Sequence, residues 1–127
     1  MKNKEILIKL LTFKQEESIH EKFDFNCFNM GSSKNPKIPN CGTVGCLAGE
    51  LPRFDSNWYF CESGAFLNKK NISLDKYFDL SSDYGDALFI PMQQSRLGLE
   101  NISYDATLEQ VQANGWKVLK LIEENEL

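Results

Sequence analysis

The chain is poor in the residues that most often carry chemistry or bind nucleic acid. It has one histidine, His20, and arginine only at Arg53 and Arg96. Any Cys–His catalytic pair must therefore use His20. Only two side chains are able to fork onto a phosphate or carboxylate. There is no basic surplus: 14 lysines and arginines stand against 18 acidic residues, a net charge of −4. A duplex-binding domain normally carries such a surplus to displace phosphate counterions, so duplex nucleic acid is not an expected partner. No apolar run approaches the ~18–20 residues that span a bilayer, so no membrane partner is expected. The sequence has no Cys-x-x-Cys, and no Gly-x4-Gly-Lys-Ser/Thr loop to support ATP hydrolysis. It also has no internal repeat, low-complexity tract or linker.

What is present has globular proportions. The 127 residues are 42% hydrophobic and 25% charged, values of an ordinary folded chain. That length matches one domain of ~100–150 residues, so a single globular domain over 1–127 is expected. The excess of lysine over arginine, with many asparagines, resembles the product of an AT-rich genome. The apolar stretch at Ile6–Leu11 is interrupted by Lys9 and has no small-residue cleavage site after it. It does not read as a secretory signal, and a cytoplasmic location is expected. Asn71-Ile72-Ser73 and Asn101-Ile102-Ser103 match a glycosylation sequon, which is coincidental without secretion. Cys27, Cys41, Cys46 and Cys61 are then thiols rather than disulfides.

Periodicity places the elements. Ile6, Leu7, Leu10 and Leu11 recur at helical spacing, with Lys14 on the same face, which predicts an amphipathic helix over 3–18. Phe23, Phe25 and Phe28 alternate with polar residues as in a short extended piece. Gly31, Pro36 and Pro39 make residues 29–41 a loop. A helix is expected from Thr43 to Leu51, ended by Pro52. Glycine costs ~1 kcal/mol against alanine in a helix, so Gly45, Ala48 and Gly49 in so short an element imply close approach of a backbone or ligand. Trp58–Cys61 reads as a strand or a packed loop. Ser73 is a candidate cap for a helix through Phe78, and Ser81 or Ser82 for one through Phe89, with Pro91 beyond it. Residues 92–106 read as a loop. Thr107-Leu108-Glu109-Gln110 fits a capping box, and Leu108, Val111, Gly115, Val118, Leu119 and Ile122 continue it as the last helix.

Four chemistries can be tested against these residues. Cys41-x4-Cys46 is wider than usual zinc spacing. Cys27, Cys61 and His20 would complete a set, yet small buried thiols explain the cysteines more simply. Cys41 at a helix start would have a lowered pKa, with His20 as base and Asp24, Asn26 or Asn40 orienting it. The turn Asn40-Cys41-Gly42-Thr43 before the helix would expose amides to a phosphate or carboxylate. Trp58, Tyr59 or Phe60 could then stack on a base, and Arg53 or Lys69-Lys70 could meet its charge. Asp83 and Asp86 share a helix face, but a glycosidase needs carboxylates on opposite sides of a cleft.

The stretch Cys41-Gly42-Thr43-Val44-Gly45-Cys46-Leu47-Ala48-Gly49, preceded by Phe23-Asp24-Phe25, resembles a loose group of small uncharacterised phage and bacterial proteins. These carry Phe-Asp-Met and then Cys-Gly-Thr-x-x-Cys-x-Ala-Gly. Asp86-Ala87-Leu88-Phe89-Ile90-Pro91 and Ala106-Thr107-Leu108-Glu109-Gln110-Val111 are similar to that group's second half. The group often has histidine or tryptophan directly after Ala-Gly, where this chain has Glu50. The resemblance implies a phage or mobile-element origin, and hence a host cytoplasm. It implies no particular activity.

The expectation is an α+β, mostly helical domain, with amphipathic first and last helices around a short Gly/Ala-rich helix. Its expected role is that of a non-enzymatic accessory protein binding a host protein or a nucleotide-like small molecule, as in blocking a defence system. The expected ligand residues are Asn40, Cys41, Gly42, Thr43, Arg53, Trp58 and Tyr59. No cofactor and no metal are expected, and a homo-oligomer is compatible with the sequence. The rival reading is a small hydrolase or transferase using Cys41 and His20.

Overall fold

A computed structural model of the chain describes residues 1–17, 22–23, 44–45, 47–60, 66–103 and 105–125. The first helix, α1, spans Lys4–Thr12 and buries Leu7, Leu10 and Leu11. It is shorter than the 3–18 its periodicity predicts. Phe13 leaves the helix with φ −68° and ψ 156°, its N–H still bonded to the Lys9 carbonyl. The phenyl ring is buried. From Lys14 to Ser18 the sequence offers only polar residues, so another turn and a half of helix would have no apolar face to bury. The chain instead makes a 3-10 turn at Gln15–Glu17, tied by the Lys14 N–H donating to Glu17 Oε1 at 2.9 Å.

Two short strands, β1 (Lys22–Phe23) and β2 (Val44–Gly45), pair in parallel. The predicted helix from Thr43 is therefore corrected: its first described residues are extended, and helical structure begins at a 3-10 turn over Ala48–Glu50. That turn runs into α2, Leu51–Phe54, with Pro52 in its first turn. Proline has no N–H to offer a helix interior and a φ already suited to a helix start. Pro52 therefore opens α2 instead of closing the element before it. Leu47, Ala48 and Leu51 are wholly enclosed, and Gly49 is buried with them. The small residues at 48 and 49 thus serve internal packing.

A hairpin follows. Strands β3 (Trp58–Phe60) and β4 (Phe66–Asn68) are antiparallel, with Trp58 opposite Asn68 and Tyr59 opposite Leu67. Helix α3, Leu74–Phe78, is capped by Ser73, whose hydroxyl accepts from the Lys76 N–H. Helix α4, Ser82–Phe89, begins after Ser81, which makes no side-chain cap bond. The 92–106 stretch contains a 3-10 turn, Gln94–Leu97, organised by one buried side chain. Gln94 donates from Nε2 to the carbonyls of Ala87 at 2.9 Å and Ile90 at 2.8 Å. Its Oε1 accepts from the Ile102 N–H at 2.9 Å. A fully partnered amide can be buried without loss, whereas an unpartnered one cannot.

The last helix, α5, spans Leu108–Asn125. Its capping box is formed as the sequence predicts: Gln110 N–H donates to Thr107 Oγ1 at 3.2 Å, and Thr107 N–H to Gln110 Oε1 at 2.9 Å. The stripe from Leu108 to Ile122 is buried. The protein is mostly helical, and among the described residues the strands are confined to these two short pairs. α1 packs against both α5 and α2, and α4 against α5. The expected central Gly/Ala-rich helix is thus replaced by α1, which contacts the elements on either side. No helix among the described residues is long and apolar enough to cross a membrane.

Candidate functional site

The predicted ligand residues divide into two sets. Asn40, Cys41, Gly42 and Thr43 lie outside the described residues, as do His20 and the other three cysteines, Cys27, Cys46 and Cys61. Arg53, Trp58 and Tyr59 are described, and two of them are engaged internally. Arg53 lies over the rings of Phe13 at 5.2 Å and Phe54 at 4.5 Å. Its Nη1 donates to the Glu17 carbonyl, and its Nη2 is 3.8 Å from Oε1 of Glu50, itself only 1% exposed. The guanidinium thus joins the turn after α1 to α2, a use consistent with its weak hydration and flat face. Trp58 is 4% exposed and stands edge-on to Tyr77, 5.3 Å between ring centres. It is a core residue, with no open face for a base. Tyr59, next along β3, is half-buried. Among the described residues no three His, Cys, Asp or Glu side chains gather as a metal site would require.

A different place collects polar side chains around open space. A cavity of about 250 Å³ is lined by Lys2, Asn3, Asp55, Asn57, Asn68, Lys70, Ile72, Lys76 and Tyr77. The start of the chain meets residues between Asp55 and Tyr77 there, joined by hydrogen bonds. Lys2 N–H donates to the Phe78 carbonyl at 2.7 Å. Asn3 holds φ 56°, a left-handed conformation that asparagine tolerates better than most residues. Rather than capping α1, its Nδ2 donates to the Tyr77 carbonyl at 2.8 Å. Tyr77 OH donates to Asp55 Oδ2 at 2.7 Å, and Asn57 N–H to Asp55 Oδ1 at 2.9 Å. Lys69 N–H donates to the Asn57 carbonyl at 2.8 Å, closing the base of the hairpin.

The electrostatics of this cavity follow from its wall. Lys2, Lys70 and Lys76 bring three positive charges and Asp55 one negative charge. Burial pushes the Asp55 carboxyl up, but the Asn57 amide, the Tyr77 hydroxyl and the Lys70 charge outweigh it. The net result holds the carboxyl below its ordinary 3.8. Burial, and then the bond to Asp55, push the Tyr77 phenol up. Asp55 is accordingly ionised and Tyr77 protonated at neutral pH.

Asn68 is the unusual member. It is 8% exposed, and its Oδ1 accepts from the Lys70 N–H at 2.8 Å, as in an Asx turn. That bond sets which end of the amide is which. Its Nδ2 is buried and donates to nothing among the described residues. A buried donor left unmade costs ~1–3 kcal/mol, and an acceptor entering the cavity would offset that cost.

Of this wall the sequence points only to Lys70 as a candidate ligand residue, as part of Lys69-Lys70. The remainder carries no motif: Lys2 and Asn3 lie more than fifty residues from Asp55. The one local signal is the polar pair Asn68 and Asn71 around Lys69-Lys70, which marks a turn. Comparison with protein-family models, curated proteins and solved structures finds no match for this chain.

Proposed function

We propose that this chain is a small α+β accessory protein that acts by binding, without catalysis, and that the lysine-lined cavity holds the anionic group of a nucleotide-like ligand. The observation that carries the reading is the donor surplus of the wall: three lysines and the unpartnered Asn68 amide line it beside a single carboxylate. At about 250 Å³ the space falls just below the ~300–1,000 Å³ of sites that enclose a whole drug-sized ligand. It suits a phosphate-bearing head group, with the rest of the ligand lying outside. The resemblance of the Cys41–Gly49 motif to phage and bacterial proteins supports a phage or mobile-element origin. Sequestering a nucleotide-like signal of host defence, in the host cytoplasm, is then a role open to a protein of this size.

A thermal-shift panel of nucleoside mono-, di- and cyclic phosphates tests this. A ligand present at ~100 times its Kd stabilises by ~2.7 kcal/mol. The shift should be lost in Lys70→Glu and Lys76→Glu. If no member of the panel moves the melting temperature, the ligand reading fails. If the shifts survive both charge reversals, the ligand binds elsewhere.

A further inference from the structure

We propose that the ligand of this cavity is a phosphate ester that also carries a free hydroxyl, with the phosphate facing the lysines and Asn68 and the hydroxyl donating to Asp55. The proposal rests on the cavity being the ligand site and specifies what the site selects. Asp55 sets one negative charge in a wall whose other charged residues are lysines. Asp55 is built in firmly: Tyr77 OH donates to Oδ2 at 2.7 Å and Asn57 N–H to Oδ1 at 2.9 Å, and the Asn57 side chain also bonds the carboxylate. An ionised carboxylate has about four acceptor sites, so these three leave capacity for one donor from a ligand. Its charge repels a ligand that presents only negative oxygens and favours one that offers a neutral O–H at that end. The opposite demand comes from Asn68, whose buried Nδ2 requires an acceptor, and from Lys2, Lys70 and Lys76. Acceptor and donor needs in one small space define a bifunctional ligand. Sites built to bond a ligand hydroxyl discriminate strongly against analogues that lack it.

The test is calorimetric titration at fixed ionic strength, since charge pairing is screened by salt. The probes are glycerol 3-phosphate, methyl phosphate and glycerol. Glycerol 3-phosphate should bind about tenfold tighter than methyl phosphate, and glycerol alone should not register. Asp55→Asn should abolish that preference by weakening glycerol 3-phosphate while leaving methyl phosphate as tight or tighter. Because Asp55 also holds Tyr77 and Asn57, Lys76→Met serves as a second variant that leaves the carboxylate in place. It should weaken both esters and keep their ratio. Equal affinity of the two esters for the unaltered protein overturns the proposal, whatever the variants do. Loss of both esters in equal measure in a folded Asp55→Asn protein also overturns it. Were nucleotides to bind while the esters did not differ, the cavity would remain a phosphate site without hydroxyl selection. Were nothing anionic to bind, the site itself would be misplaced.

Discussion

The contact between α1 and α5 supplies a sharp perturbation at Gly115. A Cβ built on this residue would lie 2.3 Å from Cδ2 of Leu11, with Cδ1 at 3.3 Å and Cγ at 3.4 Å. The nearest approach falls about 1.1 Å short of the 3.4 Å where ordinary contact begins. Leu11 is 2% exposed, so its methyl has little free space into which to retreat. Gly115→Ala therefore brings two opposed effects. Alanine in a helix interior gains ~1 kcal/mol over glycine, while one extra carbon in a close-packed core costs ~1–3 kcal/mol. The net expectation is a loss of ~1 kcal/mol, or roughly 3–5 °C in melting temperature for a chain of this size. The sign should reverse when the obstacle is removed. Leu11→Ala alone should cost ~2–5 kcal/mol. Adding Gly115→Ala to it should recover ~1 kcal/mol or more, because all three close atoms are gone. Urea unfolding of the four proteins, followed by circular dichroism at unchanged m-value, gives the coupling between the sites. If Gly115→Ala stabilises both backgrounds equally, Leu11 yields freely, and the glycine is not there for close approach.

Two further perturbations address the polar interior. Gln94→Leu keeps the volume but strands the Ile102 N–H and weakens the bonding of the Ala87 and Ile90 carbonyls. A loss of ~2–4 kcal/mol is expected at ~1–3 kcal/mol per unmade buried bond, and a urea midpoint within error of the parent would show that the 92–106 stretch is held by other means. Asp75 is raised above 3.8, first by burial and then by the neighbouring Asp86 carboxylate. Its folded form therefore holds a proton more tightly than its unfolded form. The penalty of ionising it, from burial first and repulsion second, is absent below 3.8, grows through the raised value, and is fully present at neutral pH. Asp75→Asn should melt higher than the parent at pH 7, with the gap closing below pH 3.8, and a gap independent of pH would refute the assignment.

Much of the helical layout is legible from local pattern alone. The Thr107/Gln110 box and the Ser73 cap are each complete within one helical turn, and the Leu108–Ile122 stripe repeats at spacings of three and four residues. All three are visible without knowing what the helices pack against. The errors arise where a local signal has two meanings. Pro52 ends a helix if read from one side and begins one if read from the other. The contacts of Leu47, Ala48 and Leu51 with the core favour the second. Lys14 continues the spacing of α1, yet the burial of Phe13 against Arg53 takes the chain out of the helix first. Trp58 and Arg53 looked like ligand residues because aromatics and cations bind nucleotides. Both bury just as readily when a tyrosine edge or a pair of phenyl rings is available.

By itself the sequence determined where the amphipathic helices lie and which faces they bury, because hydrophobic periodicity acts through neighbours three and four residues apart. It also determined the acidic balance and the absence of a membrane-length apolar run. Only the tertiary structure decided that Lys2, Asp55, Asn68 and Lys76 share one wall, that Asn3 holds the Tyr77 carbonyl, and that Gln94 organises the segment before α5. These are pairings between residues whose separation along the chain carries no periodic signal. Their energies arise from burial and from donors and acceptors that meet only after the helices have packed.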